Sequence, residues 1–184
     1  MGCIVLVLVG LAIITSEEMR ERRRGDICAS HLRRLNEAFR TYAANWDGAF
    51  PRNAPRTRAH HGQEDPWPEL LTYYLGNRRA LRCPDDPSRI PFRFDAPPLA
   101  GHITSYPMNS VIGWSWPETH GFEIALNYSD ITIPGQTLLL TDREPWHFRQ
   151  SGKQTYRLAL FVDGHVQICR TEMYLRLWGR LTPS

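Results

Sequence analysis

From Met1 to Thr15 the chain reads MGCIVLVLVGLAIIT, an apolar run without a single charge. Such a run is too apolar on every side for a helix at a soluble protein's surface and must be covered all round. A spanning helix needs about 20 apolar residues, so this run is short by about one and a half turns. A cleaved signal peptide would show a basic n-region and a small-x-small cleavage site, and neither is visible. Cys3 precedes the run, whereas a lipoprotein cysteine follows one, and Leu6 stands where N-myristoylation asks for Ser or Thr. The expectation is a membrane anchor over residues 1–24, with a buried core helix as the plainer alternative.

Beyond Thr15 the helical pattern continues. Between Ser16 and Asn45 there is no proline, and Gly25 is the only glycine. Cys28, Leu32, Leu35, Phe39, Tyr42 and Trp46 recur at steps of four and three, which places them on one helix face. Arg33, Arg34, Asn36, Glu37 and Arg40 occupy the opposite face. The expectation is one rod from Ile4 to Ala44, roughly 60 Å long, ended by Asp47-Gly48 with glycine as a left-handed cap. Its amphipathic half would pack its stripe on a globular domain spanning 25–184.

Composition bounds that domain. With 42% hydrophobic residues and six tryptophans a real core can form, while fourteen prolines and thirteen glycines exclude a helical bundle. Pro68 to Leu75 reads as a short helix, with proline in its first turn and Gly76 past its end. Strands are expected at Ile103–Met108, Gly121–Leu126 and Gln136–Thr141. Tyr156–Val162 and His165–Arg170 flank Asp163-Gly164, the composition of a type I′ hairpin. Glu172 to Trp178 is expected as a final helix or strand. The fold class is α+β, a long N-terminal helix packed on a small antiparallel sheet.

Net charge is +3, and the basic residues are dispersed apart from Arg22-Arg23-Arg24, so nucleic acid is not an expected partner. There is no Gly-x-Ser-x-Gly, P-loop, HExxH or CxxC motif. No catalytic residue is assigned, and the chain is expected not to be an enzyme. Trp114 and Trp116 alternate near Pro117 and form a candidate contact patch if extended.

Several segments together resemble a known family. Cys28-x-x-x-Leu32, Leu35 and Tyr42-Ala43-Ala44-Asn45-Trp46-Asp47-Gly48-Ala49-Phe50-Pro51 are similar to the helix end of pilin-like proteins. Those proteins carry a prepilin-type N-terminal cleavage/methylation domain and are related to the major pseudopilin of type II secretion. Leu81-Arg82-Cys83-Pro84-Asp85-Asp86-Pro87 looks like the family's Cys-Pro loop. Ser105-Tyr106-Pro107-Met108-Asn109-Ser110 is similar to its Ser-Tyr-x-Met-Asn segment. Leu160-Phe161-Val162-Asp163-Gly164-His165-Val166 resembles its last strands. The family's basic leader, glycine and Thr-Leu-Ile-Glu processing site are absent from the chain. Many relatives also carry a proline in the membrane half of the helix, and this chain has none there.

The resemblance implies a pilin fold, a single-pass inner-membrane anchor touching lipid, an extracytoplasmic body, and assembly with copies of itself or other pilin-like subunits. The Arg22–Arg24 cluster would by itself set the body on the cytoplasmic side. The resemblance also implies a Cys28–Cys83 disulfide, with Cys83–Cys169 as the rival pairing. Pseudopilins can hold calcium through C-terminal loops, which makes Asp142, His147, Asp163 and His165 the candidate ligands. The plainer expectation is no metal and no cofactor, with Asp163 and Gly164 explained by turn geometry. Two further functions compete with a filament subunit. One is a membrane-tethered binding module that does not assemble; the other is a hydrolase using those same four residues.

Overall fold

The computed structural model describes residues 2–51, 67–86, 104–109, 112, 126–150 and 153–173. Side chains are described from Thr15 onward, apart from 148–150 and 153–155. Helix α1 runs unbroken over Gly2–Asn45, 44 residues, or roughly 65 Å. Its stripe is legible in the burial: Cys28, Leu32, Leu35, Ala38, Phe39 and Ala43 are buried, while Arg33, Arg34, Glu37 and Arg40 face solvent. The end is sharper than a single glycine cap. Asp47 (φ 49°) and Gly48 (φ 82°) are both left-handed, and the Gly48 N–H donates to the Ala43 carbonyl at 2.8 Å. Trp46, expected in the stripe, lies beyond the last helical residue and is 57% exposed. The turn swings it outward, where it stacks on the half-buried Tyr42 with centroids 5.7 Å apart.

The expected single-pass inner-membrane anchor is corrected. Among the described residues, no helix is long and apolar enough to cross a membrane. From Ser16 onward α1 meets Glu17, Glu18, Arg20, Glu21 and Arg22–Arg24 within about two and a half turns, which ends any apolar stretch.

Helix α2, Trp67–Leu75, forms where proline-first spacing placed it, and Gly76 beyond it is left-handed (φ 61°). It packs on α1, Trp67 meeting Phe39 at 5.3 Å between centroids. The sheet is built around one strand. Strand β3, Lys153–Phe161, pairs antiparallel with β4, Val166–Arg170, along one edge. Its other edge is shared: β2, His147–Gln150, pairs with its start, and β1, Leu138–Thr141, with its end. Alternation along β3 sorts the faces. Leu158 and Leu160 join the main core with Leu32, Leu35, Phe39, Phe50, Trp67 and Leu71. Ala159 and Phe161 form a second cluster with Leu138 and Cys169 on the opposite face. The architecture is therefore a mixed α+β fold, a long N-terminal helix laid on a small antiparallel sheet.

Two local expectations change. The β3–β4 connection is not a type I′ turn, because Gly164 (φ 98°) is left-handed and Asp163 is not. The Gly164 N–H instead donates to the Phe161 carbonyl at 2.9 Å, closing a longer loop with one left-handed glycine. The Ile103–Met108 segment is no strand where it is described; only an isolated bridge joins Met108 to Leu140. Pro107 lacks an N–H to donate to a ladder, and residues 104–109 bond irregularly along β1. Gly121–Leu126 falls outside the described residues except for Leu126. Residues 171–173 are helical, and the rest of the segment ending at Trp178 lies outside the described residues.

Candidate functional site

The buried stripe of α1 carries Cys28 to the loop that follows the 3₁₀ turn Arg78–Leu81. There it is joined to Cys83 by a disulfide, with Cα atoms 5.4 Å apart. The implied pairing is thus present. Cys169, the rival partner, is free and buried on the far face of the sheet, and burial pushes its thiol up to about 11.

Residues 104–106 clamp the cysteine loop. The Cys83 N–H donates to Ser105 Oγ at 3.1 Å, and that hydroxyl donates to Asp86 Oδ2 at 2.5 Å. Thr104 Oγ1 donates to the Leu81 carbonyl at 3.0 Å. The Ser105 N–H donates to the same carbonyl at 2.9 Å. The Ser-Tyr segment and the Cys-Pro loop are therefore one hydrogen-bonded unit.

Against the disulfide stands His147, the first residue of β2, with a fully buried side chain. Its Nε2 is 3.1 Å from Cys83 Sγ, and its Nδ1 is 2.9 Å from Asp85 Oδ2. Asp85 also takes Arg24 of α1, at 3.0 Å. Asp142, just past β1, lies 3.7 Å from His147 Nε2 through Oδ2, which also accepts the Leu158 N–H at 2.7 Å. Asp142 is fully buried, and its Oδ1 has no hydrogen-bond partner.

The electrostatics follow from this burial. Desolvation pushes Asp142 up to about 7, against the Leu158 N–H and the charge of Arg157. Desolvation also holds His147 below its ordinary value, against the charge and hydrogen bond of Asp85. Arg157 sits under the carboxylate, with its Nη1 donating to the Asp142 carbonyl at 2.7 Å and to the Arg143 carbonyl. Next to Cys83 a cleft of about 430 Å³ opens, lined by His31, Arg78, Arg79, Arg82, Pro84 and Asp86. His31 Nδ1 donates to the Arg82 carbonyl at 2.9 Å and fixes one wall.

The four candidates Asp142, His147, Asp163 and His165 do not converge. His147 lies against the Cys28–Cys83 disulfide, with Asp142 beside its ring. The other two pair in the β3–β4 loop, Asp163 Oδ1 to His165 Nδ1 at 2.6 Å, where Arg40 Nη2 donates to the Asp163 carbonyl at 3.0 Å. Along α1 the two pairs are thus separated by the step from Cys28 to Arg40, roughly 18 Å. They are neither one ligand sphere nor one hydrolytic cleft. Trp114 and Trp116 fall outside the described residues. An aromatic surface that sequence reasoning missed does emerge. Tyr73 is 88% exposed and stacks edge-on with Tyr74, which meets Tyr42 at 5.8 Å between centroids, beside exposed Trp46. The signal available for it was the Tyr73-Tyr74 pair, which a helix must split between two faces.

No protein-family model, curated protein or solved structure matches the chain.

Proposed function

We propose that the chain is a pilin-like structural subunit, whose α1 is an assembly element as well as the spine of the body. One observation carries this reading. The part of α1 from Cys28 to Ala43 is buried on the sheet, whereas every residue from Thr15 to Arg24 is exposed or half-exposed, at the far end of the same rigid rod. That outer stretch is bipolar. Glu17 and Glu18 lead, Arg20 and Glu21 alternate, and Arg22 and Arg23 follow, so a staggered copy presents opposite charges. The disulfide between helix and loop suits an oxidising compartment.

The test is sedimentation of the full chain across a concentration series at low and high salt. Concentration-dependent oligomers that weaken as salt screens exposed charges support the proposal. The double variant Arg22→Glu/Arg23→Glu should shift the chain to monomer while leaving its circular dichroism unchanged. A chain that stays monomeric throughout at low salt overturns it. In that event the exposed Trp46 and Tyr73 surface favours the second reading, a binding module that does not assemble.

A further inference from the structure

We infer that, when its disulfide is reduced, the Cys28/Cys83/His147 cluster is a binding site for a zinc-class divalent ion. The three ligand atoms come from a helix, a loop and a strand, yet all lie within 4.8 Å of one another and all three residues are buried. Zinc takes thiolate sulfur at about 2.3 Å and imidazole nitrogen at about 2.0 Å in a tetrahedron, so its donor atoms lie roughly 3.5 to 3.8 Å apart. Parting the two sulfurs from bonding distance to that spacing is the adjustment the site needs.

The groups that would orient the ligands are already in place. His147 turns Nε2 to the sulfurs and Nδ1 to the Asp85 carboxylate at 2.9 Å, the carboxylate–histidine arrangement that orients a metal-binding imidazole. Arg24 holds Asp85 in turn. Asp142 Oδ2 lies 3.7 Å from the ring Nε2, and three protein ligands leave the fourth position to a solvent molecule. The cleft next to Cys83 gives an entry path.

The chemistry balances. Two equivalents of a small thiol reduce the Cys28–Cys83 bond, become a disulfide themselves, and leave two cysteine thiols. The ion then binds both sulfurs as thiolates, and two protons pass to solvent. The same sulfurs serve an oxidised, covalently tied state and a reduced, metal-tied one. Neither state depends on filament assembly.

The experiment uses the full chain, reduced anaerobically with a phosphine and titrated with cobalt(II) as the probe. Thiolate-to-cobalt charge-transfer and tetrahedral visible bands should appear near one equivalent, fade when zinc is added, and be absent from the oxidised protein. Peptide mapping should show zinc protecting Cys28 and Cys83 from alkylation, with Cys3 and Cys169 unaffected. Bands should survive in Cys169→Ala, and cobalt affinity should fall at least about tenfold in His147→Gln. Should that variant unfold by circular dichroism, the parent's oxidised-versus-reduced comparison and its alkylation map decide alone. Absence of bands in the reduced parent, equal bands in its oxidised form, or zinc protection mapping elsewhere overturns the inference.

Discussion

Residue by residue, the chemistry of this fold is set by what burial does to a few polar groups. Asp163 shows the exposed extreme. Its slight burial works to raise the carboxyl, but the His165 backbone N–H and ring, with the charge of Arg40, outweigh this and hold it below the ordinary value. The folded value lies under the unfolded one, so the contribution is present above about pH 4 and lost as pH falls through the folded value. The side chain is 41% exposed, so solvent screening limits the effect to about 0.2–1 kcal/mol. Asp163→Asn should therefore lower the melting temperature slightly at pH 7 and by less at pH 3; equal losses at both would rule the pairing out. Gly48 makes a steeper demand. A Cβ there would meet Asn127 Oδ1 at 2.4 Å on a backbone at φ 82°. Gly48→Ala should cost about 1–3 kcal/mol in a urea titration, because strain and a displaced side chain add. Of these details, the cysteine pairing was legible because family resemblance supplied both positions. His147 was read with the wrong companions, Asp163 and His165. The resemblance to pseudopilins that hold calcium in C-terminal loops suggested them, while strand β2, which carries His147 to the cysteines, gave no signal.

At the scale of elements, α1 was the most legible part, because a stripe at 3.6-residue spacing fixes both the helix and its buried face. Its energetic content follows from the burial. Leu35 is fully buried and Trp46 is 57% exposed. Leu35→Ala should cost about 2–5 kcal/mol by denaturant unfolding, whereas Trp46→Ala should cost about 1 kcal/mol or less despite removing more atoms. A reversed order would mean that the outward tryptophan is a packing residue after all. Strand β3 was equally plain, being long and apolar at alternate positions. Strand β2 was not, since His147-Phe148-Arg149-Gln150 is short and lacks β-branched residues; its pairing with the start of β3 makes it a strand. The missed irregularity at 104–109 has the same origin, since Tyr106-Pro107 looks extended in sequence but cannot donate evenly to a neighbour.

For the whole molecule, the Cys28–Cys83 link closes a loop with a sequence separation of 55, joining helix to loop across the core. The chain-entropy account puts its contribution at roughly 4 kcal/mol. Cys28→Ser/Cys83→Ser should unfold at clearly lower denaturant than the oxidised parent. Its midpoint should not move when reductant is added, whereas the parent's should. The α+β layering was legible because one continuous stripe on α1 requires a sheet to receive it. The anchor was a misreading, because among the described residues the apolar run is too short to span and gives way to charges within one turn. The partners of that stripe lie far along the chain. Arg40 reaches Asp163, 123 positions later, and among the described residues β3 is the strand with which every other strand pairs. A ribosome adding about 5–20 residues per second leaves the greasy side of α1 uncovered for roughly ten seconds before its receiving surface exists. In the finished protein that face is covered, but the nascent one has an early interval in which a holding chaperone, or a neighbouring nascent copy, would find it vacant.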